Sequence, residues 1–257
     1  MCRHTAYVGP PRTLHDVVVA PPHALYEQSW APARQAHGTV NVDGFGVGWF
    51  VPGRTAPVRY RRAQPIWTDA SFASLAPTIS SSVVLAAVRS ATPGTGPDES
   101  AAAPFTHDRW LLSHNGRLDD WPTARKALGS RVADVPDALA PVDSALLFGL
   151  AVAAWQGGAT LVAGLADAVH QVEAYGGGRL TLLATDGVSV AGTVVGEPMW
   201  TLTAPTPDGP ATWVASEPHD DDPAWTLVPD RSLVVAFPDG VQVTPLDTTT
   251  SSTSSRS

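Results

Sequence analysis

The single cysteine of this 257-residue chain, Cys2, directly follows the opening methionine. A methionine before so small a residue is normally trimmed. Trimming would leave Cys2 with a free α-amine beside its own thiol. An α-amine titrates near about pH 8 and a thiol near about 8.5, so the amine can serve as general base for the thiol. Cys2-Arg3-His4 leads into the apolar run Ala6-Tyr7-Val8, which would hold such a nucleophile at the first residue of a strand. The plainer reading is a chance cysteine at a frayed terminus. One cysteine excludes an internal disulfide and a CxxC zinc pattern.

Two further groups follow strand-like runs. Arg89-Ser90-Ala91-Thr92-Pro93-Gly94 follows Val83–Val88, and Ser113-His114-Asn115-Gly116 follows Trp110-Leu111-Leu112. Asp143 opens an Ala/Leu-rich stretch. Taken singly each is weak. Asn-Gly is a common turn, an arginine after a strand is usually solvated, and an aspartate before a helix usually caps it.

Buried-strand patterns recur at 6–8, 45–51, 83–88, 110–113, 180–184, 188–195, 211–215, 232–237 and 241–243. Thr185-Asp186-Gly187 and Pro238-Asp239-Gly240 predict hairpins. Helices are expected from a Thr68-Asp69 cap to about Ile79, over Asp119–Leu128 after an Asn-Gly turn, from 141–144 to about Trp155, and over Thr160–Tyr175. Antiparallel-looking strands on both sides of a helix pair predict an α+β sandwich rather than βαβ repeats.

Cys2, Arg89-x-Ala91-Thr92, Asn115-Gly116 and Asp143, in this order and spacing, resemble the class II (N-terminal cysteine) glutamine amidotransferases. These are N-terminal nucleophile hydrolases, and the resemblance implies a four-layer αββα sandwich of antiparallel sheets. It covers Cys2 to about Leu246. The start Met1-Cys2-Arg3-His4-x-Ala6-Tyr7-x-Gly9-Pro10 narrows it, as do Asn41-x-Asp43-Gly44-Phe45-Gly46-Val47-Gly48-Trp49 and Ser216-Glu217-Pro218-x-Asp220-Asp221-Asp222-Pro223. These are similar to the ergothioneine-biosynthesis subgroup, the γ-glutamyl-hercynylcysteine sulfoxide hydrolases.

The resemblance implies hydrolysis of a γ-glutamyl amide through a Cys2 thioester. It gives the oxyanion donors to the Asn115 side chain and the Gly116 N–H. Arg89 would hold the substrate α-carboxylate, which suits a guanidinium fork. Asp143 would hold the α-ammonium, and Thr92 would add hydrogen bonds. Ammonia-channelling relatives often carry an aromatic residue and a histidine where this chain has Ser90 and Pro93. That departure, and the lack of a following synthase segment, lead to an expectation of plain hydrolysis. The other readings are a stand-alone glutaminase supplying ammonia to a separate synthase and a non-catalytic γ-glutamyl-binding protein that keeps Met1.

The segment with Asn41 and Asp43 lacks phosphate-loop spacing and is expected to pack against the nucleophile, with Asp43 buried and hydrogen-bonded. Asp220-Asp221-Asp222 reads as a capping loop. His4, His107 and His114 are candidates to line the pocket, each read first as structural, and no HExxH-like spacing occurs, so neither metal nor cofactor is expected. The implied leaving group carries a trimethylammonium, which aromatic faces hold well. Trp30, Trp49, Trp67, Trp110 and Trp121 are candidates, each read first as core.

With 44% hydrophobic and 16% charged residues the chain is not disordered. Its net charge of −8 argues against nucleic acid and anionic membrane as partners and leaves a small molecule. No apolar run is long enough to span a bilayer, and no signal peptide opens the chain, so a cytoplasmic protein is expected. Residues 1–247 read as one domain and 248–257 as a disordered Ser/Thr-rich tail.

Overall fold

The computed structural model describes residues 2–34, 40–91 and 98–247. The Ser/Thr-rich tail and Met1 lie outside them. Thirteen strands form two antiparallel sheets. The first sheet is built from β1 (Arg3–Thr13), β2 (Phe45–Trp49), β3 (Val58–Arg62), β4 (Ser80–Val88), β9 (Trp200–Thr206), β10 (Gly209–Ala215) and β11 (Thr226–Leu227). Its order is β11-β9-β10-β1-β4-β2-β3, with β1 central. The second holds β5 (Phe105–His107), β6 (Trp110–Leu118), β7 (Gly178–Thr185), β8 (Val190–Val194), β12 (Ser232–Phe237) and β13 (Gly240–Pro245), in the order β13-β12-β8-β7-β6-β5.

Alternation along the strands sorts the apolar side chains into three layers of core. Ala6, Val8, Leu85, Leu111, Leu183, Val214 and Val234 meet between the sheets. Tyr7, Val84 and Trp213 face outward. They pack with Leu14, Val17 and Val18 of α1 (Leu14–Val18), Leu25 of α2 (Leu25–Gln28) and Phe72 of α3 (Ala70–Leu75). On the opposite outer face Leu112, Leu182 and Ala184 pack under α4 (Trp121–Leu128), α5 (Asp143–Gln156) and α6 (Leu161–Glu173). Helices, sheet, sheet and helices therefore stack as the four-layer αββα sandwich. Close contact between α5 and α6 needs Gly164, where a Cβ would stand 2.2 Å from the Trp155 ring nitrogen.

Both expected hairpins form. Asp186 accepts from the N–H groups of Val188 and Ser189, and Phe237 pairs with Gly240. Asp69 caps α3 by accepting from Phe72 N–H at 2.9 Å, and a 3-10 turn extends the segment to Thr78. The structure corrects the Asn-Gly turn. Asn115 and Gly116 lie inside β6, paired with Thr181 and Leu180 of β7. Sheet pairing overrides the local turn preference. Strands β3, β5, β9 and β11 and helices α1 and α2 carried no expectation from the sequence. No helix among the described residues is long and apolar enough to cross a membrane.

Candidate active site

The two sheets open at one end into a cleft lined by Cys2, Arg89, Ser90, Phe105, His114, Gly116, Val142, Asp143 and Ser144, among others. Cys2 keeps step with His4, Ala6 and Val8, so its side chain falls on the inter-sheet face. Pairing of Arg3 with Val88 brings the end of β4, and hence Arg89, beside it. The Cys2 Sγ lies 4.0 Å from the Ser90 carbonyl oxygen. Burial pushes its thiol above the ordinary range, and the Ser90 contact and the Arg89 charge oppose that shift.

The Arg89 guanidinium donates to the Asp43 carbonyl at 3.2 Å. The Asp43 carboxylate accepts from Ala91 N–H at 2.7 Å, and Asp43 N–H donates to the Arg89 carbonyl at 3.0 Å. Asp43 thus brackets residues 89–91 after β4. It is half-buried rather than buried, which corrects part of the expectation. Asp143 is the first residue of α5 rather than its cap. Its two oxygens accept from Leu118 N–H at 2.9 Å and Ser144 N–H at 2.8 Å. A carboxylate in a first helical turn also interacts well with the helix dipole.

On the facing sheet, Ser113 Oγ lies 3.2 Å from His4 Nδ1. One inward step further along each strand are Asn115 and Cys2. Asn115 is fully buried and does not line the cleft. Neither atom of its side-chain amide has a hydrogen-bond partner among the described residues. An orphaned buried polar group costs about 1–3 kcal/mol. Gly116 has φ +147° and a Cβ there would stand 1.9 Å from the Arg179 carbonyl oxygen. No other residue fits.

His114 lines the cleft. Its Nε2 lies 2.9 Å from the Arg179 carbonyl, which only accepts, so Nε2 carries a hydrogen, and its Nδ1 lies 3.0 Å from Ser144 Oγ. His4 is fully buried, and burial, with lesser effects of His114 and Arg3, pushes its pKa down to about 3. His4 is therefore neutral near pH 7. His107 stands on β5 against Gln156, outside the cleft.

Four of the six expected site residues, Cys2, Arg89, Gly116 and Asp143, thus share one cleft. Asn115 stands behind its wall, and Thr92 lies outside the described residues. Ser144 and Phe105 were not foreseen, although Ser144 follows Asp143 directly. Among the tryptophans, Trp49 is buried, Trp110 tilts against Trp155, and Arg125 lies over Trp121. Trp30 and Trp67 meet edge to face at 5.5 Å with Trp30 exposed. Asp220 accepts from Trp225 Nε1 and Asp222 from Ala224 N–H, so the acidic run caps its own loop. Among the described residues no three His, Cys, Asp or Glu gather as a metal set.

One cleft thus gathers a thiol, a guanidinium, a carboxylate and a glycine that no other residue could replace. Residues 24–193 match the family described as glutamine amidotransferases class-II. A γ-glutamyl-hercynylcysteine sulfoxide hydrolase of Mycolicibacterium smegmatis is 44% identical over 96% of this chain and 100% of its own length. One from Mycobacterium tuberculosis is 40% identical over 96% and 97%. The structure of a class-II glutamine aminotransferase domain protein from Silicibacter pomeroyi superposes with a TM-score of 0.68, covering 95% of this chain and 99% of that one at 22% identity. The Bacillus subtilis glutamine phosphoribosylpyrophosphate amidotransferase gives 0.67 at 15% identity, with 96% of this chain matched to half of that one. The last two likenesses speak for the fold, while the family match and the mycobacterial relatives speak for kinship. On these grounds the chain belongs to the class II glutamine amidotransferases.

Proposed function

We propose that this protein hydrolyses the γ-glutamyl amide bond of γ-glutamyl-hercynylcysteine sulfoxide, releasing glutamate and hercynylcysteine sulfoxide. The observation that carries the reading is the grouping of Cys2, Arg89 and Asp143 in one cleft. It suits a glutamyl end, and the mycobacterial relatives supply the leaving group by name.

In this reading Met1 is removed and the Cys2 amine takes the thiol proton. The sulfur attacks the δ-carbonyl carbon, and the developing oxyanion meets Gly116 N–H; the buried Asn115 amide serves as second donor once the substrate uncovers it. Losing one such donor typically costs about 3 kcal/mol. The carbon–nitrogen bond breaks as the ammonium of Cys2 returns its proton to the leaving nitrogen. Water, deprotonated by the same amine, then attacks the thioester carbonyl. Glutamate leaves and the thiol is restored. The reaction as written needs no cofactor. A free thiol nucleophile also suits the reducing cytoplasm, where we place the protein.

Arg89 binds the substrate α-carboxylate through a fork aimed by Asp43, and Asp143 receives the α-ammonium. Arg89→Lys keeps the charge but loses the fork. KM should rise about 10- to 100-fold with kcat changed less, because charge-assisted hydrogen bonds contribute roughly 1.5–3 kcal/mol each. Steady-state kinetics check this, and an unchanged KM places Arg89 outside the glutamyl site.

The glutamyl cleft is common to glutamine and larger amides, so preference must come from the leaving group. A desolvated trimethylammonium on an aromatic face is worth about 2 kcal/mol, and polar contacts to the sulfoxide add to it. Expressed in the transition state, these should raise kcat/KM for the sulfoxide more than about tenfold over glutamine. Side-by-side glutamate release from both compounds by the Met-trimmed protein tests the assignment. Equal or better use of glutamine would instead make the protein an ammonia donor to a separate synthase.

A further inference from the structure

Arg3 and Glu217 are both buried beside the cleft, yet neither lines it. Burying each ion costs several kcal/mol, and a buried ion pair is weak evidence for fold stability alone; Arg3 and Glu217 stand 3.8 Å apart. Their positions suggest another use. Arg3 is the residue after the nucleophile. The pairing of β1 with β10 ends at Thr5 and Ala215, and it continues past the strand end through Ser216 N–H to the His4 carbonyl at 2.9 Å and His4 N–H to Ser216 Oγ at 3.0 Å. The next cross-strand pair is Arg3 with Glu217.

The Glu217 carboxylate does more than neutralise Arg3. Its two oxygens accept the N–H groups of Ala33 and Arg34 at 3.1 and 2.6 Å. At the end of α2 the Ser29 carbonyl accepts from Asn41 N–H at 2.6 Å. Two residues on, Asp43 holds the Arg89 guanidinium and the Ala91 N–H. From the other sheet the buried Glu197 takes Arg179 at 2.6 Å and also acts on the charge of Arg3. The Arg179 carbonyl is the group that abuts Gly116 and accepts from His114. A row of alternating charges therefore stands behind the cleft, next to the nucleophile, the carboxylate anchor and the oxyanion glycine.

We propose that Arg3 and Glu217 are positioning residues: their buried pair ties the start of β1 to residues 33–34 after α2, whose end the Ser29–Asn41 bond joins to Asp43, and so holds the Cys2 sulfur at the working distance from Arg89. The pair acts through Cys2 and Arg89 and touches no substrate. A chain end frays unless it is tied down, and a misplacement of about 1 Å can cost roughly 100-fold in rate. The inference rests on the γ-glutamyl hydrolase reading.

Glu217→Gln keeps the size and one acceptor oxygen but removes the charge. Four readouts separate positioning from mere support: melting temperature, kcat/KM for glutamate release from the sulfoxide, inactivation by 6-diazo-5-oxo-L-norleucine, and alkylation by iodoacetamide. The diazoketone must sit in the glutamyl cleft to reach the thiol, whereas iodoacetamide needs only access to it. We expect a folded variant whose kcat/KM falls at least about tenfold, with diazoketone inactivation slowed alike and iodoacetamide alkylation within about twofold of wild type. Glu217→Asp should recover part of the loss, since it restores the charge. A folded Glu217→Gln protein with kcat/KM and diazoketone inactivation within about twofold of wild type overturns the proposal. So does a parallel change in both alkylations, or failure of both variants to fold, because the pair is then structural. If wild-type protein releases no glutamate from the sulfoxide, the substrate assignment fails, and the diazoketone and iodoacetamide comparison still decides the role of the pair.

Discussion

Cys2→Ala is expected to lower glutamate release by at least about 10⁴-fold, the scale on which removal of a covalent nucleophile is usually felt. No thioester can form, and what remains is direct attack by water on an amide held against the oxyanion donors. The fold should survive. Cys2 precedes β1, and the strand is held by β4 from Arg3 onward and by β10 from Thr5 onward. The side chain is only partly buried and loses a single sulfur atom, so stability should change by about 1 kcal/mol or less. Because Arg89 and Asp143 remain, the variant should still bind the sulfoxide, and ligand at 100 times Kd should raise its unfolding free energy by about 2.7 kcal/mol. Glutamate release together with thermal melting, with and without substrate, checks both halves. Turnover within about tenfold of wild type would show that another group attacks the amide. A wild-type protein that binds the sulfoxide and never cleaves it would be the non-catalytic binder instead.

Blocking the amine of Cys2 should be the next most damaging change. Placing a lysine between Met1 and Cys2 makes a start that is not trimmed and turns the amine into an amide with no basicity. Burial already pushes the thiol pKa upward. Without its own base the sulfur is then left protonated at neutral pH. A lost general base costs typically about 10²–10⁴-fold, and here the same group also serves the leaving nitrogen and the attacking water. Neither histidine near the site offers a replacement: His4 is neutral and buried, and His114 is committed to Ser144 and the Arg179 carbonyl. The measurement is kcat/KM for a chain whose retained N-terminus has been verified by intact mass. Full activity in that chain would require a different base, and the α-amine would drop out of the mechanism.

Much of this chemistry was legible in the residue order, because it depends on what stands next to what along the chain. A lone cysteine behind Met1 would, once Met1 is trimmed, carry its proposed base by covalent adjacency. Local turn chemistry was equally readable: Asp186-Gly187 and Asp239-Gly240 set their hairpins by backbone preference, and Asp69 and Thr160 cap α3 and α6. The same Pro-Asp-Gly signature at 207–209 also marks the β9–β10 hairpin, where Thr206 pairs with Gly209. Pro205 makes β9 look unlike a strand, so this turn signal has no strand pattern before it in the sequence. Strand β3, Val58–Arg62, gave no such sign. Its three arginines and half-buried face become a strand only through pairing with β2.

Tertiary structure decided the rest of the site. Asn115-Gly116 has the composition of a turn, and only the Arg179 carbonyl, brought up by β7, makes the glycine necessary and the strand continuous. The same holds for the depth of Asn115, the reach of Asp43 around Arg89, and the pairing of Arg3 with Glu217. Side-chain periodicity records which face of a strand is buried, and capping records where a helix begins. Which strands meet, and in what register, is set by packing between segments far apart in the chain, which local spacing does not encode.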